Sequence, residues 1–121
     1  MKKLVVAIFE SDEINRFIWA NLMKPQENLE VHIFENPEHG LTAAQTIDFD
    51  VVIVETHFWG HNFYGISILE KLKAVSRKFF VSIATTALLQ DGDVERVMKA
   101  GFTMCMEKPL SLENIEKLQK L

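Results

Sequence analysis

Cysteine is nearly absent: Cys105 stands alone in 121 residues. That excludes an intramolecular disulfide framework and a zinc site built from several thiolates, and it suits a reducing compartment. Long apolar runs are missing as well. Leu4 to Phe9 is cut short by Glu10, far from the ~18 residues that a membrane span requires. Lys2-Lys3 before that run superficially resembles the start of a signal peptide, but no small-residue cleavage site follows. A cytoplasmic protein with no membrane partner is the expectation. An excess of positive charge is also lacking: 13 Lys+Arg stand against 17 Asp+Glu, a net −4, so the basic stripe of a nucleic-acid binder is not expected. With three prolines and five glycines, no stretch reads as a linker, a repeat or a low-complexity segment. One domain over residues 1–121 is therefore expected. What is present is a globular balance, 48% hydrophobic and 25% charged, enough to bury roughly two-thirds of the unfolded surface.

Leu4 to Phe9, continuous and rich in β-branched residues, predicts a strand covered on both faces of a parallel sheet. Ser11 or Asp12 is placed to cap the next helix, with Ile14, Phe17, Ile18 and Leu22 as its inward face, Trp19 half-buried beside them and Pro25 at its end. Val31 and Ile33 alternate with Glu30 and His32 as a second strand, and Asn36-Pro37 opens a second helix toward Gln45. Val51 to Val54 form a third strand. An irregular aromatic stretch then closes at Gly65, and Ile68, Leu69, Leu72 and Val75 mark a third helix. Phe79 to Ala84 predict a fourth strand, and Asp91 a cap for a helix carrying Val94, Val97 and Met98 that stops at Gly101. Phe102 to Met106 predict a fifth strand. Ser111 caps a last helix with Leu112, Ile115 and Leu118 inward, and Lys117 and Lys120 suit its negative end.

Five β-α units predict an α/β fold, a doubly wound five-stranded parallel sheet with helices on both faces. Chemistry in such a fold gathers beyond the carboxyl ends of the strands. Those positions hold Glu10, Ser11 and Asp12, then Glu55, then Thr85 and Thr86, then Lys108-Pro109. Phe9-Glu10-Ser11-Asp12 is no Gly-rich cradle, and its acids would repel a pyrophosphate.

Four segments in order, LVVAIFESDEINR from Leu4, FDVVIVE from Phe49, VSIATTA from Val81 and AGFTMCMEKP from Ala100, give the chain its resemblance to a known family. It resembles the response-regulator receiver domains of two-component phosphorelay signalling, the chemotaxis-regulator type included, over essentially its whole length. The resemblance implies a flavodoxin-like fold in which an aspartate ending the third strand takes a phosphoryl group from a histidine kinase. It also implies two acids holding Mg²⁺, a hydroxyl and a lysine on the phosphoryl oxygens, and an aromatic switch on the fifth strand. Carried onto this sequence, the acid pair falls on Glu10 and Ser11, with Asp12 beside them. The phospho-acceptor falls on Glu55, the phosphate-binding groups on Thr86 and Lys108, and the switch on Cys105.

The departures from that pattern have physical consequences. Ser11 offers a neutral hydroxyl where a hard dication prefers a carboxylate, leaving Glu10 as the remaining metal ligand. Without the metal, charge on the transferring phosphoryl group is poorly stabilised. Glu55 carries one methylene more than aspartate, a displacement that costs roughly 10²-fold in rate. It reaches instead toward Lys108 and Thr86, where its charge imitates the modified state. Cys105 is too small for a ring movement. The loop Thr56 to Gly65 is dense in aromatics, of which Phe58, Trp59, Phe63 and Tyr64 are expected to anchor it to the domain. His57 and His61 lack a third metal ligand.

The resulting expectation is a pseudo-receiver, not an enzyme and without a cofactor. It would act by contact with a histidine kinase, phosphotransfer or output domain through Val94 to Lys99 and Leu112 to Lys120. One alternative is a working phospho-acceptor using Glu55 or Asp12 with Mg²⁺. Another is a small ligand-binding flavodoxin-like domain with the aromatic loop as lid. Glu10 and Asp12 also suit helix-dipole stabilisation, and Glu55 with Lys108 suits a buried ion pair.

Overall fold

A computed structural model describes residues 3–87, 91–108 and 111–120. Strand and helix alternate as the periodicity predicts: β1 (Leu4–Phe9), α1 (Glu13–Met23), β2 (Leu29–Phe34), α2 (Pro37–Ala44), β3 (Val51–Glu55), a 3-10 turn (Phe58–Gly60), α3 (Tyr64–Val75), β4 (Val81–Thr86), α4 (Asp91–Lys99), β5 (Met104–Glu107) and α5 (Leu112–Gln119). The five strands form one parallel sheet in the order β2-β1-β3-β4-β5. The order reverses beside β1, where β3 lies on one side and β2 on the other. That is the switch point at which such sheets open a crevice.

Alternation along each strand divides the core in two. Ala7, Phe9, Val52, Val54 and Ala84 face one way onto Ala44, Ile68, Leu69, Leu72 and Val97 of α2, α3 and α4. Val6, Ile8, Val51, Ile53 and Ile83 face the other way onto Trp19, Met23, Ile115 and Leu118 of α1 and α5. The expected caps are present where they are described: Asp12 accepts from the Asn15 N–H, Asn36 from the Glu38 N–H, and Ser111 forms a capping box with Asn114. Gly101 takes φ +111°, the left-handed region that glycine enters without strain. Pro109 and the side chain of Asp91 lie outside the described residues.

Half of the expected inward face of α1 is corrected: Ile18 and Leu22 pack against the core as expected. Ile14 and Phe17 are 71% and 70% exposed, whereas Trp19 is fully buried with Met23 beside it. This helix is apolar on nearly every side, so periodicity alone does not choose a face. The i,i+4 pair of Trp19 and Met23 buries the larger surface under the sheet, roughly 200° around from Phe17. Met98 of α4 and Leu112 of α5, expected on the apolar faces of their helices, are exposed, as is Phe79, which precedes β4 instead of opening it. Phe102 is buried but precedes β5, which opens at Met104. Tyr64, read as loop, opens α3, so Gly65 lies inside the helix. A Cβ on Gly65 would come 2.5 Å from the carbonyl oxygen of Glu55, so this glycine lets α3 press against the end of β3.

Candidate functional site

Parallel register brings the strand ends level. Glu55 pairs with Thr85 and Thr86 with Glu107 in the ladder, and past the last rungs the backbone continues in pairs. The Glu10 N–H donates to the Phe34 carbonyl at 3.1 Å, Thr56 to Thr85 at 2.8 Å and Lys108 to Thr86 at 2.8 Å. Glu10 and Glu55 therefore project from the neighbouring ends of β1 and β3, and Lys108 reaches across the end of β4 from β5 into the same pocket.

The Lys108 Nζ lies 2.8 Å from Glu10 Oε1 as an ion pair and donates to Glu55 Oε2 at 3.1 Å. Ser11 turns two donors onto the other oxygen of Glu55: its backbone N–H at 3.1 Å and its hydroxyl. The Asp12 N–H donates to Glu10 Oε2 at 3.2 Å. The Arg16 guanidinium holds the turn from below, donating to the carbonyls of Glu10 at 3.2 Å and Ser11 at 2.7 Å. It also pairs with Glu35 at 3.1 Å.

Burial sorts the two carboxyls. Glu10 is 1% exposed, and burial pushes its pKa from 4.5 up to about 7 against the opposing pull of Lys108. Burial also pushes Glu55 upward, but the Ser11 hydroxyl, Glu10 and the Lys108 ammonium more than offset it, so Glu55 stays below its ordinary value. Near neutral pH the pocket thus balances one ammonium against an ionised Glu55, with Glu10 poised to take or release a proton.

The structure brings together four of the residues that the sequence singled out: Glu10, Ser11, Glu55 and Lys108. Asp12 faces away, exposed, its carboxylate accepting from the Asn15 N–H at 2.9 Å as a helix cap. Thr86 is buried at the end of β4, but the hydroxyl on Glu55 is that of Ser11, not the expected Thr86. Cys105 is half-buried against the α3–α4 core, and burial, then Asp93, raises its thiol pKa.

The aromatic loop is ordered by contacts that no local pattern reveals. Phe58 is fully buried, and Trp59, half exposed, rests on Phe58 and Tyr64 with ring centroids 5.1 and 6.0 Å away. Trp59 and Phe63 both adopt left-handed backbone, φ 58° and 56°, which costs a non-glycine residue roughly 1–3 kcal/mol and persists where surroundings enforce it. The enforcing contacts are the Trp59 N–H on Ser11 Oγ at 3.1 Å and the Phe63 N–H on His57 Nδ1 at 3.0 Å. That second bond occupies a ring nitrogen of His57, and among the described residues no cluster of three metal-ligating side chains occurs. A separate cavity of about 360 Å³ opens at the amino end of β4 and β5, lined by Lys73, Arg77, Lys78, Phe79, Ser82 and Thr103. Its Arg77 and Lys78 are already paired with Asp48 and Asp50.

A sequence profile of the response regulator receiver domain matches residues 6–120. The chain belongs to the response regulator receiver family. Such receivers serve two-component systems and work with signalling partners such as kinases and output domains. Solved structures agree on the fold. A response regulator receiver protein from Pseudoalteromonas atlantica superposes with a TM-score of 0.81 at 19% identity, covering 96% of this chain and 94% of that one. A receiver domain of the CheY-like type from Methylobacillus flagellatus gives 0.78 at 16% identity, covering 98% of both chains. A response regulator from Burkholderia pseudomallei, solved with a phosphorylated aspartic acid, calcium ion and citrate, gives 0.76 at 17% identity, covering 96% of this chain and 71% of that one. No curated protein sequence matches. Among the described residues no helix of this receiver is long and apolar enough to cross a membrane.

Proposed function

We propose that this receiver is a pseudo-receiver, a non-enzymatic cytoplasmic domain that signals by protein–protein contact and does not accept a phosphoryl group at Glu55. The observation that carries this reading is the pairing of both Glu55 oxygens, one by Lys108 and the other by the two donors of Ser11. These donors fix the carboxylate in place and draw off its charge, which lowers its nucleophilicity toward a donor phosphorus and sets its geometry away from in-line attack.

The donor set also speaks against Mg²⁺ as a resident cofactor. A hard dication takes near-octahedral oxygen ligands, carboxylates foremost. Here Ser11 supplies a hydroxyl already given to Glu55, and the ammonium of Lys108 lies between Glu10 and Glu55. Among the described residues the acid pocket therefore does not fit the ion.

In this reading Glu55 holds the domain in one fixed state, and its partner, a histidine kinase, phosphotransfer or output domain, meets Val94 to Lys99 and Leu112 to Lys120. Exposure of Met98 and Leu112 on these helices suits a contact face. Incubating the chain with a small acyl phosphate and Mg²⁺, then recording intact mass, tests the reading. No hydroxylamine-labile phosphoryl adduct is expected, and a stoichiometric one overturns it.

A further inference from the structure

A continuous chain of contacts runs from the carboxylate pocket through the aromatic loop to α4. We propose that the loop from His57 to Phe63 couples the Glu55 centre to α4. Each link is a contact between named groups. The Ser11 hydroxyl donates to Glu55 and accepts the Trp59 N–H at 3.1 Å, so a displacement of Glu55 changes what holds Trp59 in its left-handed conformation. Trp59 belongs to the 3-10 turn in which Gly60 donates to His57 at 2.9 Å and His61 to Phe58 at 3.1 Å. His57 in turn accepts the Phe63 N–H at 3.0 Å and packs edge-on against the Phe63 ring at 4.8 Å. Phe63, the second left-handed residue, carries the guanidinium of Arg96 over its ring at 3.9 Å, and Arg96 belongs to α4.

Two strained residues in one short loop, each tied to a different element, make a segment whose conformation depends on those ties. When the Ser11 bond is present, Trp59 is held and Phe63 offers its ring to α4. When it is lost, the Trp59 N–H no longer donates to Ser11 to oppose relaxation, and the turn that positions His57 and Phe63 loosens with it. That α4 then passes this state to a partner rests on the function proposed above, but the coupling itself is measurable without partner or phosphodonor.

The test is a double-mutant cycle read by amide hydrogen exchange on the full chain, with Ser11→Ala and Arg96→Gln. Neither residue belongs to the fully buried core, so both variants are expected to fold. The amides of α5, on the opposite face of the sheet from α4, serve as an internal reference. Ser11→Ala is expected to lower protection of the α4 amides about fivefold when Arg96 is present and less than twofold when it is Gln, a coupling of ordinary allosteric size. An equal drop in both backgrounds, or no drop in either, overturns the proposal. Because no phosphoryl chemistry is read, that failure leaves the pseudo-receiver reading standing, and a phosphoryl adduct would leave the coupling standing.

Discussion

Ser11 presents its backbone N–H and its hydroxyl to the same oxygen of Glu55. A residue that the family pattern marks as a lost acid has become a donor to the acceptor carboxylate. Charge follows from this exchange. An acid at this position would repel Glu55, whereas Ser11 helps to keep it ionised and in place.

Lys108 is the ammonium shared by two carboxyls in a pocket where one of them is almost fully buried. Replacing it by Met removes the cation and leaves Glu10 facing Glu55. Removing one partner of a buried pair costs about 3–5 kcal/mol, reduced here because Glu10 can take up a proton. Chemical denaturation at pH 8 is expected to show a loss on the order of 2–4 kcal/mol. Lys108→Met combined with Glu10→Gln is expected to recover a good part of it.

Stability is expected to fall as the solution becomes more alkaline. Between 4.5 and about 7 the folded chain keeps a proton on Glu10 that the unfolded chain has released. The stabilisation from this group is complete below the unfolded value and is lost as pH rises through the folded one. Glu55, held below its ordinary value, acts in the opposite sense, losing its contribution only as pH falls through its folded pKa. From pH 5 to 8 the Glu10 effect dominates, on the order of 2 kcal/mol. Urea midpoints across that range should decline for the parent chain, and Glu10→Gln should flatten the decline.

The true inward face of α1 is tested by contrast. Trp19→Ala empties a fully buried indole and is expected to cost about 3–5 kcal/mol. Phe17→Ala, on an exposed ring, should stay within about 0.5 kcal/mol. Trp19→Phe should cost much less than the alanine change, because the indole N–H finds no hydrogen-bond partner among the described residues. Thermal unfolding of the three variants ranks them.

The contrast between those residues shows what the chain discloses in sequence. Strands such as Val51 to Val54 announce themselves because an apolar run too short for a helix has few alternatives. Capping by Asp12 and Asn36 is equally legible, since the side chain acts within three residues. The α1 face is not legible, because Ile14, Phe17, Ile18, Trp19, Leu22 and Met23 surround the helix and tertiary packing selects among them. At the site, Glu55 with Lys108 follows from strand order alone. The Ser11 bond needs the β1–β3 register, which aligns Phe9 with Val54 and so leaves Ser11 one residue past the position level with Glu55. Arg96 over Phe63 joins a loop to a helix more than thirty positions later, beyond any local pattern.

The central claim is that Ser11 and the longer Glu55 side chain, not the fold, keep this receiver from phosphoryl transfer. It is tested most directly by treating the parent chain and the Ser11→Asp/Glu55→Asp variant side by side with a small acyl phosphate and Mg²⁺ and reading intact mass. The account predicts no adduct on the parent chain and one hydroxylamine-labile phosphoryl group on the variant, whose restored acids can hold the metal and place the nucleophile. A stoichiometric phosphoryl adduct on the parent chain, at Glu55 or at Asp12, would contradict it.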